Sequence, residues 1–384
     1  MYKINKSQNE LAVLRSGYFI SFKDYVRKVI YPFVRDDYRE SFTKSVGQKP
    51  KMLLTMRVND NSQTYNFLTQ CMNDDTFLRK VLAGSVQEQI DLIQDLIQNG
   101  HIDCIKNLTK KRAVSNGWHD GDTVDDFNTI IKEIFVTRLF DGKNLADENC
   151  ALDKDWFVKN LGFRICPYCG RAYIYRVVKA GRNGLVSVKP QIDHFLPKSA
   201  YPFLALSFMN LIPCCSQCNM SPCKVDNDPL DDSHQSITKL IHPYYFDDEN
   251  ILFRYGLQSA DLFNSDSYLV GVGYSTRDYK HGYNHFLAID KLYAEHRQEV
   301  CNMFGRAEAF RAATNNLYSG VGVSNPSFPL LSYAILGYAL NPDEESKQLL
   351  YKFKKDILLQ MFNSSPVGKT YYYDWQGVEA IFHT

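Results

Sequence analysis

The 384-residue chain has no long hydrophobic run and no hydrophobic segment near its N-terminus. Its longest apolar stretch, residues 330–340, is shorter than the roughly 18 residues that a membrane-spanning helix needs. Residues 1–6 are polar or mixed and carry no apolar core of the kind that marks a secretory signal peptide. These absences predict a protein without membrane segments that works in the cytoplasm.

Other features are missing as well. The chain contains no internal repeat and no low-complexity tract. Residues 1–155 contain no glycine-rich phosphate-binding loop, so we expect no ATPase activity of its own. The net charge of +1 by itself argues neither for nor against a nucleic-acid partner. With 45% hydrophobic residues, the composition is that of an ordinary globular protein, and the length allows two or three domains.

Cysteine is concentrated in one stretch, because six of the ten cysteines lie between positions 166 and 223. A Cys-x-x-Cys knuckle places two thiolates on one side of a tight turn, and two knuckles complete a tetrahedral zinc shell. Without a secretory signal we expect a reducing compartment, which favours metal binding over disulfides. Cys214 and Cys223 are alternatives within the second pair. The predicted structural zinc ligands are Cys166, Cys169, Cys215 and Cys218.

Polar residues near the two cysteine pairs suit a second metal ion. Asp193 supplies a hard oxygen ligand of the kind that Mg²⁺ prefers. His194, next to it, offers an imidazole, the side chain that most often accepts a proton near neutral pH. Asn219 directly follows the last cysteine, so the knuckle would hold its amide in a fixed place. Asp193 and Asn219 together predict a divalent-cation site that leaves room for phosphate and water.

These landmarks follow one another in a characteristic order: Cys-x-x-Cys, Asp-His-x-x-Pro, Asn-Leu, Cys-x-x-Cys-Asn and a lysine. The order resembles that of the zinc-bearing HNH, or ββα-metal, endonucleases, and the resemblance covers residues 166–224. It implies that His194 is the general base and that Asp193 and Asn219 bind the catalytic Mg²⁺ or Mn²⁺. It also implies that Asn210 pins the loop across the fold, and that the cleavage products carry 5′-phosphate and 3′-hydroxyl ends.

The interval between the two cysteine pairs is longer than in the generic zinc template. Residues 173–178 and 185–188 have the composition of strands, and they flank a turn rich in glycine and asparagine at 180–184. We therefore predict that residues 171–190 form a β-hairpin that accounts for the extra length.

The same stretch is locally basic. Residues 156–224 contain nine lysines and arginines but a single acidic residue, Asp193. A basic module in a neutral protein favours phosphate binding, since phosphate contacts dominate the affinity of proteins for nucleic acid. Double-stranded DNA is the expected partner. The candidates for holding its backbone are Arg164, Arg171, Lys198 and Lys224.

The flanking regions are predicted to be mostly helical. Capping boxes at Ser85/Glu88 and Thr123/Asp126 predict helix starts. In the C-terminal region, two short strands at 251–255 and 268–272 are expected, followed by a long helix over about 283–318. Two further helices are expected around 330–340 and 344–362, followed by an aromatic tail that packs against the body. The predicted class is α+β, with a helical region at 1–155, a ββα-metal module at 156–250 and a mostly helical region at 251–384.

The most specific functional hypothesis is a metal-dependent HNH endonuclease. Residues 193–206 are also similar to HNH proteins of bacterial anti-phage systems, some of which work beside an ATPase. We therefore expect a partner ATPase, and we expect the helical flanks to keep the nuclease inactive until a partner or trigger acts on them. Two alternatives stay open: a zinc-dependent nucleic-acid-binding module without catalysis, and a structural subunit whose zinc knuckle makes protein contacts.

Overall fold

The computed structural model combines helices with small antiparallel sheets, so the α+β prediction is confirmed. The predicted capping box at 123–126 and the predicted helix at 330–340 lie outside the residues that it describes. Those are residues 6–34, 40–44, 52–56, 63–99, 127–142, 157, 160–162, 164–175, 177–181, 184–188, 190–220, 223–224, 226–318, 348–362, 369–375 and 378–383.

The N-terminal region is built of helices and one hairpin. Helix α4 begins with the predicted capping box, in which the Ser85 hydroxyl accepts the Glu88 N–H and the Glu88 carboxylate accepts the Ser85 N–H. The elements are α1 (Gln8–Val34), β1 (Glu40–Lys44), β2 (Met52–Met56), α2 (Gln63–Asn73), α3 (Asp75–Ala83), α4 (Val86–Gln98) and α5 (Phe127–Ile131), which continues as a π-helix over Lys132–Phe140.

The middle region contains two antiparallel hairpins. Strands β3 (Val177–Gly181) and β4 (Gly184–Val188) form the predicted hairpin, although β3 begins at Val177 and not at residue 173 as predicted. Strand β5 (Gln191–His194) pairs with β6 (Leu211–Cys214), and a one-turn helix, α6 (Ser216–Asn219), follows. Asp193 lies opposite Ile212 in this pairing. The segment between β5 and β6 contains two 3₁₀ turns, Pro202–Leu204 and Phe208–Asn210.

The C-terminal region contains a four-stranded antiparallel sheet in the order β10-β9-β8-β7. The predicted strands at 251–255 and 268–272 are confirmed as β7 and β8, whereas β9 and β10 were not predicted. The predicted helix at 283–318 is divided, and Ala288 adopts a left-handed conformation (φ 50°) at the first break. Strand β9 buries Tyr371 and Tyr373, as expected for the aromatic tail. The elements are β7 (Ile251–Leu257), β8 (Tyr268–Tyr274), α7 (Arg277–Leu287), α8 (Ile289–Ala294), α9 (Arg297–Tyr318), α10 (Tyr351–Met361), β9 (Thr370–Trp375) and β10 (Val378–His383).

One hydrophobic core runs through all three regions, from Leu11 to Met361. Buried hydrogen bonds also join them. The Tyr18 hydroxyl donates to the carbonyl of Leu206 (2.7 Å), and the Leu350 N–H donates to the carbonyl of Gly170 (2.8 Å). The middle region is thus held from both sides. Among the described residues, no helix is long and apolar enough to span a membrane.

The capping box provides a test of this fold. Replacing Ser85 by alanine removes the side-chain acceptor at the start of α4, and we expect the free energy of unfolding to fall by about 0.5–2 kcal/mol. Chemical denaturation with CD detection measures the change. The matched control is Ser21→Ala, because Ser21 is exposed within α1 and its hydroxyl bonds the Gly17 carbonyl four residues back. Alanine is the better helix former there, so the control should be neutral or slightly stabilising. Equal losses in both variants would contradict the capping role.

Candidate metal centre

Four cysteine side chains meet in the interior of the middle region. The sulfur atoms of Cys166, Cys169, Cys215 and Cys218 all lie within 4.8 Å of one another, and all four residues are buried. The Cys169 and Cys215 sulfurs are 3.9 Å apart. Four thiolates arranged tetrahedrally at a Zn–S distance of about 2.3 Å would be separated by roughly 3.8 Å. The cluster therefore fits a structural zinc ion, and the predicted ligands are the residues that come together.

Backbone hydrogen bonds shape the first knuckle. The Cys166 N–H donates to the Ala172 carbonyl, and the Gly170 N–H donates to the Cys166 carbonyl, both at 2.8 Å. Gly170 has a φ of 65°, a left-handed conformation that glycine adopts without strain. The Arg171 N–H points at the Cys169 sulfur (3.4 Å). The turn thus presents both sulfurs on one side and supplies a donor to one of them.

The thiols of the cluster do not share one protonation behaviour. Hydrogen bonds from the other cluster thiols hold the pKa of Cys169 well below its usual range. Burial raises the pKa of Cys166 well above that range. A divalent cation binds the deprotonated form of every cysteine ligand, so it would remove this difference between the thiols.

The structure distinguishes the paired cysteines from their neighbours. Cys214 is fully buried at the end of β6 but does not belong to the cluster, and burial raises its thiol pKa well above the usual range. Cys223 is half-buried and also lies outside the cluster. The second pair of ligands is therefore Cys215 and Cys218, and the alternatives left open by the sequence are not used.

Asp193 lies on β5 beside the cluster and is 2% exposed. The Tyr168 hydroxyl donates to its Oδ2 at 2.6 Å, and the Lys224 ammonium lies 4.0 Å from the same oxygen. Burial raises the pKa of this carboxyl, whereas the positive charge of Lys224 and the Tyr168 hydrogen bond oppose that rise. The two contacts compensate in part for the cost of a buried carboxylate.

His194 is 6% exposed and follows Asp193 at the end of β5. Its Nε2 lies 3.1 Å from the carbonyl oxygen of Ala205, which can only accept, so Nε2 carries the proton in neutral imidazole. This assigns the lone pair of the ring to Nδ1. The Phe140 ring packs edge-on against the imidazole, with 4.5 Å between the ring centroids.

Asn210 is fully buried and ties together the segment between β5 and β6. Its Oδ1 accepts the Leu196 N–H at 2.6 Å. Its Nδ2 donates to the carbonyls of Leu196 (3.1 Å) and Leu204 (3.0 Å). These three bonds hold the loop that follows Asp193 and His194, which is a structural role and involves no reacting atom.

Asn219 ends the helix that starts at the second knuckle, and this helix packs against β5. Its Nδ2 donates to Gln191 Oε1 (2.9 Å), and this bond orients the amide. The structure therefore brings Asn219 to the strand that carries Asp193.

Lys224 is placed differently from the other predicted basic residues. It is 0% exposed, and its ammonium donates to the carbonyls of His194 (3.3 Å), Phe195 (2.8 Å) and Asn227 (3.0 Å). A side chain enclosed in this way does not present its charge to a phosphate backbone. The placement argues against the predicted nucleic-acid contact of Lys224 and indicates an internal role.

The three other basic candidates differ in exposure. Arg164 is exposed. Arg171 is half-buried, and its Nε donates to His296 Nε2 at 2.8 Å. Lys198 lies 3.8 Å from the Asp141 carboxylate and 4.9 Å from the Phe140 ring centroid. Arg164 is thus open to solvent, whereas Arg171 and Lys198 contact the C-terminal and N-terminal regions.

Two contacts of the site were not predicted from the sequence. Tyr168, inside the first Cys-x-x-Cys, is 2% exposed and bonds Asp193. Its position in the knuckle was a usable signal, because a buried tyrosine hydroxyl needs a partner. Phe140 covers His194 from a helix 54 positions earlier in the chain, and no local pattern indicates such a contact.

The cluster makes a direct prediction about zinc. Cys169→Ala and Cys218→Ala should each lose the metal and lower the melting temperature, because the binding energy of a structural zinc is largely folding energy. Cys223→Ala removes a nearby thiol outside the cluster and should retain both properties. Elemental analysis of the purified variants gives the zinc content, and calorimetry gives the melts. Full zinc content in Cys169→Ala or Cys218→Ala would refute the assignment.

Comparison with known proteins gives one partial similarity. The chain is 35% identical over 89 residues to "Protein ea31" of Escherichia phage lambda. The match covers 23% of this chain and 23% of the phage protein, so most of both proteins lies outside it. No protein-family model and no solved structure matches the chain.

Proposed function

We propose that the protein is a metal-dependent endonuclease that hydrolyses phosphodiester bonds of DNA, with a structural zinc beneath its active site. The observation that carries the proposal is the arrangement around the cysteine cluster. The β5–β6 hairpin carries Asp193 and His194, and the short helix that contains the cluster residue Cys218 ends at Asn219. These side-chain types suit phosphodiester hydrolysis, and they follow the order of the HNH endonucleases.

His194 acts as the general base in this proposal. Because Nε2–H is held by the Ala205 carbonyl, Nδ1 is the atom that takes the proton from the attacking water. The backbone bond also fixes the ring plane, which is how a base is kept in line with the phosphorus atom. The residues of the loop below the ring are held by Asn210.

Asp193 and Asn219 supply the oxygen ligands for a divalent cation. The Tyr168 hydroxyl and the Lys224 ammonium both lie against Oδ2, and in this proposal Oδ1 is the oxygen that binds the metal. A Mg²⁺ or Mn²⁺ ion there would polarise the phosphate and stabilise the departing 3′ oxygen. Products with 5′-phosphate and 3′-hydroxyl ends follow from that direction of cleavage.

The surface near the first knuckle supports a nucleic-acid partner. Arg164 is exposed, and the rings of Tyr173 and Tyr175, 50% and 53% exposed, lie 5.6 Å apart. Exposed aromatic rings beside a basic side chain combine base stacking with phosphate attraction. The locally basic composition of residues 156–224 points to the same class of ligand.

Access to His194 requires movement of the N-terminal region. Phe140 covers the imidazole, and Asp141 pairs with Lys198 beside it. In the proposal, the end of the helix at 132–140 holds the nuclease in a closed state. A partner, such as the ATPase expected for anti-phage systems of this kind, would release it.

The proposal is tested by cleavage of supercoiled plasmid with Mg²⁺ or Mn²⁺, with and without EDTA, in a background that carries Phe140→Ala so that the ring covering His194 is removed. His194→Gln should lower the cleavage rate by roughly 10²–10⁴-fold, because the general base is lost. The glutamine amide can still donate a hydrogen bond to the Ala205 carbonyl. The control His285→Ala changes an exposed histidine of α7 and should leave cleavage unchanged. Metal-dependent cleavage that persists in His194→Gln would exclude this histidine as the base.

The closed state has its own test. Phe140→Ala should speed the modification of His194 by diethyl pyrocarbonate, measured by mass spectrometry, because it removes the covering ring. Phe135→Ala is the matched control: this residue is buried in the same helix and contacts Phe67. Both variants should lose about 3–5 kcal/mol of stability. Equal modification rates at equal folded fractions would show that Phe140 is not the barrier.

The burial of Asp193 and His194 favours a second candidate, a zinc-dependent nucleic-acid-binding module without catalysis. Such a protein would bind DNA with a steep salt dependence. It would show no metal-dependent cleavage, even after Phe140→Ala exposes the histidine. The plasmid assay therefore separates the two candidates.

A further inference from the structure

A buried side chain in or next to each cysteine knuckle contacts the same oxygen of Asp193. Tyr168 belongs to the first knuckle, between Pro167 and Cys169, and its hydroxyl donates to Oδ2 at 2.6 Å. Lys224 belongs to the end of the second knuckle, where its N–H donates to the Cys218 carbonyl (3.2 Å). Its ammonium lies 4.0 Å from Oδ2.

The starting points of both side chains are set by the cysteines. Two 2.8 Å backbone bonds close the turn around Tyr168: the Gly170 N–H donates to the Cys166 carbonyl, and the Cys166 N–H donates to the Ala172 carbonyl. Tyr168 is 2% exposed and Lys224 is 0% exposed, which leaves neither side chain room to choose another rotamer. A displacement of either knuckle would therefore move the Asp193 carboxylate, because Tyr168 or Lys224 connects the two.

We propose that Tyr168 is a positioning residue that couples the four-cysteine cluster to Asp193, so that zinc in the cluster sets the orientation of the carboxylate that binds the catalytic cation. The proposal rests on the function proposed above. A hydroxyl bonded to Oδ2 restricts rotation of the carboxylate and directs Oδ1 towards the cation. Groups that orient a metal ligand in this way typically change metal affinity 10–100-fold when they are removed.

Lys224 serves the same carboxylate from the other side. Its bonds to the carbonyls of His194 and Phe195 hold the backbone that follows Asp193. This explains why a lysine is enclosed here: its charge lies beside Oδ2, and its three donors fix the chain around the site. The two knuckles and the carboxylate form one connected unit.

The experiment compares two buried tyrosines: Tyr168 in the first knuckle, and Tyr293 on α8, which contacts that knuckle. Tyr168→Phe removes the bond to Asp193. Tyr293→Phe removes an equally buried hydroxyl that donates to the Cys169 carbonyl at 2.6 Å and does not contact Asp193. Both variants should keep their zinc and lose some thermal stability, since each loses one buried hydrogen bond.

The decisive measurement is the affinity of the zinc-loaded proteins for Mn²⁺, determined by isothermal titration calorimetry. Tyr168→Phe should bind Mn²⁺ roughly 10-fold more weakly than the unmodified protein, whereas Tyr293→Phe should bind it normally. In the cleavage assay, the half-saturating Mn²⁺ concentration should rise for Tyr168→Phe, and the rate at saturating Mn²⁺ should change less.

Asp193→Asn separates the failure of this inference from the failure of the proposed function. If Asp193→Asn binds Mn²⁺ as well as the wild-type protein does, or if neither protein binds it, then the coupling and the proposed function are both overturned. If Asp193→Asn weakens Mn²⁺ binding but Tyr168→Phe binds Mn²⁺ as well as the wild-type protein, only the coupling is overturned. Equal weakening in Tyr168→Phe and Tyr293→Phe would also overturn it, because the effect would then be general loosening of the knuckle.

Discussion

Four buried thiols confined within 4.8 Å of one another are the constraint on which the centre of this protein depends. Thiolates at such distances repel one another, and burial removes the water that would screen them. A zinc ion would convert that repulsion into coordination, and the energy gained would stabilise the folded chain. The cluster joins two segments that are about fifty residues apart in the chain, so it closes the long loop that contains β3, β4, β5 and β6.

The two flanking regions form hydrogen bonds with different parts of this loop. On the C-terminal side, Leu350 and Tyr293 donate to the carbonyls of Gly170 and Cys169, and Arg171 is bonded to His296. Burial and the adjacent guanidinium both lower the pKa of His296. On the N-terminal side, Gln89 donates to the Ser207 hydroxyl (2.8 Å) beneath the β5–β6 connection. The flanks therefore position the site as well as cover it.

Buried polar groups specify the site more than they stabilise it. Asp193 and Lys224 are an ion pair in which both members are nearly inaccessible to water, and such pairs contribute little net free energy. His242 is a contrasting case: burial lowers its pKa to about 3, and its Nε2 bonds the Met209 carbonyl (2.9 Å). It is a neutral structural histidine, whereas His194 stands beside a carboxylate. Two buried histidines of the middle region thus lie in different polar surroundings.

Local sequence signals were sufficient for much of this fold and site. The Ser85/Glu88 box marked a real helix start, the glycine-rich turn marked a real hairpin, and the two Cys-x-x-Cys knuckles identified the four cluster residues. Each of these depends on residues a few positions apart. The β9–β10 hairpin and the divided helix at 283–318 were missed, because tertiary packing and a left-handed Ala288 override the local pattern there.

The sequence by itself identified the four cysteines of the candidate zinc site and the polar residues around it, because residue type and spacing within a turn are local properties. Only the tertiary structure decided whether those residues face solvent. Lys224 looked like a phosphate ligand but is enclosed by backbone carbonyls, and His194 is covered by a phenylalanine from a distant helix. Burial depends on what the rest of the chain packs against a residue, and no local pattern contains that information.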